Sequence, residues 1–162
     1  MEDDVDRLIA AWQHERPDLD VSPMHVLSRV TRLALHLDRA RKDAFEDQGL
    51  EPSEFDVLSA LRRAGEPYQL SPGQLVQETL VTSGTMTNRV DRLVRKELVD
   101  RLPDPADRRG VQVRLTSQGR EAVDGALDAL LVAEKKLLAG LTPAEATQLA
   151  DALRKLSQPF DR

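Results

Sequence analysis

Apolar residues recur along this chain with two periods, and the place where the period changes is its most informative feature. Near the start, Val5, Leu8, Ile9 and Trp12 fall at helical spacing, and Pro17 ends the run. A longer run with Val26, Val30, Leu33, Leu37 and Phe45 predicts a helix over about 23–48, closed by Gly49. Further helices are expected near 52–64, 72–79, 83–97, 117–139 and 143–157. Four starts are marked by proline one residue after a capping position: Ser22-Pro23, Glu51-Pro52, Ser71-Pro72 and Thr142-Pro143. Glu54, Gln74 and Glu145 then stand where a capping box places a carboxylate or amide, and Glu51 is the weakest cap of the set. Over 98–116 the period becomes that of strands. "LVDRL" and "VQVRL" flank the turn-rich "PDPADRRG" and read as a hairpin, with Val111, Val113 and Leu115 facing inward and Gln112 and Arg114 outward.

The order of elements is helices, a helix–turn–helix, a hairpin, then helices again. It predicts a mainly α fold with a small β-hairpin wing. A winged helix-turn-helix over 49–116 would carry N-terminal helices (1–48) and C-terminal helices (117–162). Val123, Leu127, Leu130, Leu137, Leu138, Leu141, Leu149, Leu153 and Leu156 form apolar stripes that need a partner, and an intertwined homodimer is the economical solution.

The expected helix around "GTMTNRVDRLVRK" has a divided surface. Thr82 or Ser83 can cap it, and its free N–H groups suit a phosphate. Met86, Val90, Leu93 and Val94 take the inward face. Thr85, Thr87, Asn88, Arg89 and Arg92 are left outside, with Gly84 giving room for close approach. These are residue types that read a major groove: arginine pairs with guanine, asparagine with adenine, threonine with phosphate or a thymine methyl. A solvated helix face would look similar taken alone. The hairpin behind it tips the balance, because Arg108 and Arg109 at its tip can enter a minor groove while Asp107 orients a neighbouring arginine. Ser83, Thr85, Thr87, Asn88, Arg89, Arg92, Arg108 and Arg109 are therefore the expected contacts to double-stranded DNA.

The formal net charge of −5, taken over the whole chain, opposes that partner. Residues 80–120, however, hold nine cations against five acids, a local surplus of four. Screening over roughly 8 Å at physiological salt makes a phosphate respond to this patch rather than to distant acids. With 40% hydrophobic residues the chain can build a core, and with 3% aromatics and 31% charged residues it favours amphipathic helices. There is no cysteine, which excludes disulfides and thiolate metal sites and suits a cytoplasmic setting. The acidic start "MEDDVD" is unlike a signal peptide, and "LDALLVA" is too short for a membrane span.

Catalysis finds no motif. No Gly-rich phosphate loop, nucleophile elbow or HExxH occurs. His14, His25 and His36 are spaced by eleven, so the two on one helix would stand roughly 16 Å apart along its axis. No enzyme, metal or cofactor is implied. The rival reading is a winged helix used purely for protein–protein contact, which would keep the apolar stripes but has no need of Arg89, Arg92 and Arg109 along one surface.

"DPADRRGVQVRLTSQGR" resembles the wing signature of MarR-family winged-helix regulators, matched by Asp107, Arg109, Val113, Leu115, Thr116 and Gly119. The resemblance runs from about 24 to 157. It implies a dimeric transcriptional regulator, often a repressor, on a pseudo-palindromic operator that is released by a small, frequently anionic or phenolic ligand. The extra helix at the start is similar to that of the PecS-like, urate-responsive subgroup. There a Trp in the extension, an Asp and an Arg two turns apart, and an Arg in the recognition helix carry ligand roles. Trp12, Asp56, Arg63 and Arg89 match them here, in the contexts "FDVLSALRRAG" and "TSGTMTNR". By this resemblance Arg63 pairs with an anion, Trp12 stacks on a ring, and Asp56 accepts a ring N–H or couples to Arg89. The effector class implied is a small anionic or aromatic molecule such as urate.

Overall fold

The computed structural model describes residues 2–79, 81–105 and 110–160. Its elements are α1 (Asp4–Glu15), α2 (Met24–Glu46), α3 (Pro52–Arg63), β1 (Gln69–Leu70), α4 (Pro72–Thr79), α5 (Ser83–Arg95), β2 (Val99–Pro103), β3 (Val111–Leu115), α6 (Ser117–Leu137) and α7 (Pro143–Ser157), followed by a 3-10 turn, Gln158–Phe160. They form two compact units, Met1–Arg41 and Lys42–Arg162, the boundary falling inside α2.

In the first unit, Asp3 caps α1 by accepting the N–H groups of Val5 and Asp6. Val5, Ile9 and Val21 are buried together against Met24. Polar ties complete the pairing of α1 with α2. Arg29 donates to Asp3 at 2.9 and 3.0 Å and to Asp6 at 2.7 Å, and Arg32 reaches Asp4 at 3.0 Å.

The second unit is a winged helix. α3 packs on α4, α5, α6 and β3, and the sheet is antiparallel in the order β1-β3-β2. Phe45 stacks on Phe55 with ring centroids 4.2 Å apart, and Leu58, Leu61, Leu75, Met86, Leu93 and Val113 fill the centre. The turn after α5 is a Schellman motif. Leu98 N–H bonds to Leu93 O and Glu97 N–H to Val94 O, both at 3.0 Å, with Glu97 at φ 60° where glycine is usual. Thr116 then caps α6, and Gly119 in its first turn lies against the Leu98 backbone, so close that an added Cβ would sit 1.9 Å from the Leu98 carbonyl oxygen.

Several expectations change in the structure. β1 is an added strand of two residues, too short to show any period. Val111 is exposed at the outer end of β3, so only Val113 and Leu115 pack inward. Val123 and Leu130 are buried on the winged-helix core with Ala122 and Ala126, so the first half of α6 belongs with 49–116 in one core instead of forming a separate stripe. Leu127, Leu137, Leu138, Leu141, Leu149, Leu153 and Leu156 do stay exposed, and α7 buries no residue. Glu54 takes the expected capping-box position, accepting the Glu51 N–H, and is 1% exposed. Among the described residues no helix is long and apolar enough to cross a membrane.

Candidate nucleic-acid interface

α5 divides as its sequence dictates. Met86, Val90 and Leu93 are buried, which turns the opposite face outward. Thr82 is the N-cap, its hydroxyl accepting the Thr85 N–H and lying 2.9 Å from the Thr85 hydroxyl. Ser83, Gly84, Thr85, Thr87, Asn88 and Arg92 are exposed, and a Cβ at Gly84 would meet open space. Thr87 spends its hydroxyl hydrogen on the Ser83 carbonyl at 3.1 Å, leaving oxygen lone pairs and a methyl group outward. Arg89 differs from its neighbours. It is half-buried, and its Nη1 is enclosed with no hydrogen-bond partner among the described residues. An enclosed, unmet guanidinium donor is uncommon and keeps its capacity for a further acceptor.

Thr85, Asn88, Arg89 and Arg92 line one open concavity of about 830 Å³ with Asp91, Val94, Arg95 and Arg101. Arg95 and Arg101 escaped the sequence reading. Helical spacing puts Arg95 on the face of Asn88 and Arg92, so the pattern along α5 could have found it, whereas Arg101 lies on a strand whose closeness to α5 is tertiary. Arg101 Nη2 donates to Asp91 Oδ1 at 2.6 Å. Four guanidinium groups and one carboxylate thus face a single space, which suits a polyanionic backbone. Ser83 and Thr87 lie on the same helix outside this concavity. Asp107, Arg108 and Arg109, expected at the hairpin tip, lie outside the described residues.

The expected effector residues fall in both units. Arg63 is exposed on α3, where Nη1 bonds to Ser59 Oγ at 3.0 Å and Nη2 faces Glu78 Oε2 at 3.5 Å. Asp56 is half-buried one face over from the core of α3. Trp12 is 46% exposed on α1, in the first unit. No cluster of three or more His, Cys, Asp or Glu able to hold a metal occurs among the described residues.

A helix–turn–helix with a β-wing at its back and an arginine-lined outer helix face defines a winged-helix DNA-binding protein. Comparison with known proteins agrees. The sequence profile of the MarR family matches residues 48–110. The chain is 35% identical to the HTH-type transcriptional regulator PecS of Dickeya dadantii over 155 residues, 96% of this chain and 93% of that one. Its fold is similar to a mutant MarR of Escherichia coli complexed with operator DNA, with a TM-score of 0.72 and 28% identity, covering 85% of this chain and 99% of that one. It is also similar to BpsR of Bordetella bronchiseptica, whose DNA binding is regulated by 6-hydroxynicotinic acid, with a TM-score of 0.70 and 30% identity, covering 82% and 92%. The chain belongs to the MarR family. It is a DNA-binding transcriptional regulator and not an enzyme.

Proposed function

We propose that two copies of this chain form a cytoplasmic dimer that represses transcription by binding a pseudo-palindromic operator, with α5 of each copy in a major groove. The observation that carries this is the concave outer face of α5, where Thr85, Asn88, Arg89 and Arg92 meet Arg95 and Arg101. In this reading Asn88 and Arg92 address base edges, Ser83 and Thr85 hold phosphate near the helix N-terminus, and Thr87 offers its methyl to thymine. Arg108 and Arg109 insert in the flanking minor groove. The exposed leucines of α6 and α7 supply the dimer contact. Two recognition helices related by a dyad would meet successive major grooves about 34 Å apart.

A gel-shift salt series on a duplex that the protein selects from a random-sequence pool tests this. With ~6–10 phosphate contacts the affinity falls by orders of magnitude between low and moderate salt. A protein that selects no sequence at any salt is not a DNA reader, and the protein–protein reading would take its place.

The regulator is further proposed to release DNA when a small anionic aromatic effector binds. Arg63 supports this, because its contact to Glu78 is a long pair between exposed groups and an anion can replace the carboxylate at little cost. The enclosed Nη1 of Arg89 supports it too, as a donor awaiting an acceptor. Urate is the first candidate, with Trp12 as its stacking partner and Asp56 as acceptor of a ring N–H. Adding urate to the protein–DNA complex should lower DNA affinity, since an effector acts only through different affinities for the two states.

A further inference from the structure

Among the described residues, Glu54 is the only polar or charged side chain that is buried. DNA reading does not use it, yet an ionised carboxylate out of water is unfavourable unless paired and hydrogen-bonded. Its Oε2 accepts from Lys96 Nζ at 2.6 Å and from the Glu51 N–H at 2.9 Å. The same ammonium donates to the Gly49 carbonyl at 2.9 Å. The turn at Gly49, the first turn of α3 and the C-cap of α5 therefore meet at one cation.

Capping by itself does not require a charge at position 54. In α4, Gln74 stands at the same offset from Ser71, and its amide oxygen accepts the Ser71 N–H at 2.9 Å. A neutral glutamine would serve α3 in the same way, so the carboxylate answers to Lys96. Burial of Met86, Val90 and Leu93 decides which face of α5 turns inward. Apolar burial is non-directional, however, and leaves freedom to slide along the axis. A short charge-assisted hydrogen bond does not. Lys96 closes a 13-residue helix whose other end presents Ser83 and Thr85, so a shift at the C-cap moves every groove-facing side chain together.

We infer that the Glu54–Lys96 ion pair sets the axial position of α5, which makes both residues positioning residues for DNA binding that act through the helix. This rests on α5 being the recognition helix.

The test uses the full-length protein and a duplex that the wild type selects from a random-sequence pool, with a scrambled duplex as control. Affinity for both is measured for Glu54→Gln, Lys96→Met, the double variant and Lys96→Arg, each at a temperature well below its own melting transition. Glu54→Gln and Lys96→Met should each weaken binding to the selected duplex about tenfold. The double variant should be no weaker than Lys96→Met, and Lys96→Arg should bind nearly as the wild type does. Affinity for the scrambled duplex, and its salt dependence, should not change. A purely structural pair would lower the melting temperature and leave the ratio of selected to scrambled affinity at its wild-type value, and that result would overturn the inference. If Glu54→Gln is too unstable to measure, Lys96→Met and Lys96→Arg decide, because the Lys96 side chain is 41% exposed. A wild type that selects no duplex would remove the recognition-helix reading itself, and the inference with it.

Discussion

Arg101, on β2, holds its Nη2 2.6 Å from Asp91 Oδ1 on the outer side of α5. The pair joins the base of the wing to α5, and it sets a carboxylate among guanidinium groups on the face proposed to meet DNA. Both side chains are about two-fifths exposed, so the pair contributes little to stability, ~0–1 kcal/mol. Its effect should instead appear in binding.

Asp91→Asn should strengthen binding to non-specific DNA, because it removes the one acid that opposes phosphate in this concavity. Arg101→Ala should weaken binding to all sequences alike and reduce the salt slope by about one unit, as for a lost phosphate contact. Filter binding over a salt series reads both effects. A sequence-dependent loss in Arg101→Ala would make it a base reader instead.

The ion pairs of the first unit predict an acid-sensitive window. Hydrogen bonds from the Arg29 side chain and from backbone N–H groups hold the Asp3 carboxyl at about 2, below its ordinary 3.8. Asp6 is lowered as well, by the Asp3 N–H and then by Arg29. A carboxylate lowered in the folded state contributes fully above its unfolded pKa, and that contribution disappears as pH falls through the folded value. The attachment of α1 to α2 should therefore be constant above about pH 5 and weaken between about pH 4 and 2. Trp12 lies on α1 and is the only tryptophan, so its emission anisotropy follows the change. Arg29→Ala should flatten the titration in that window, and an unaltered curve would assign it to other groups.

Gly119→Ala should destabilise the winged helix by ~1–3 kcal/mol or more, since the new methyl meets the Leu98 backbone and α6 must move off the start of β2. Glu97→Gly should act the other way, by up to ~1 kcal/mol, through relief of the left-handed conformation. Thermal melting compares the two. A neutral Gly119→Ala would mean that α6 shifts freely.

Urate titrated into the free protein should quench Trp12 emission if the ring stacks on the indole. Arg63→Ala should raise the urate concentration needed to release DNA while leaving DNA affinity without urate unchanged. Release that ignores both residues would place the effector elsewhere or exclude urate.

Legibility from sequence followed the range of the interactions. The helix starts at Pro52, Pro72 and Pro143 and the strands Val99–Pro103 and Val111–Leu115 fell where caps, prolines and alternation placed them. So did the exposed polar face of α5 carrying Thr85, Asn88 and Arg92. Each depends on neighbours within about one or two turns. Glu54 was legible as a capping-box residue because that motif is local, whereas its pairing with Lys96, 42 positions away, was not. Arg89 was placed outside with its neighbours, yet packing encloses its Nη1.

By itself the sequence determined which face of α5 turns inward and that Val113 and Leu115 of β3 do, since side-chain chemistry repeating at 3.6 or 2 residues settles that locally. Only tertiary structure decided what stands beside those faces: Arg101 against Asp91, Lys96 against Glu54, Gly119 against Leu98. The physical reason is that such pairings join segments distant in sequence, and their energies exist only after the core has brought the segments within hydrogen-bond or van der Waals reach.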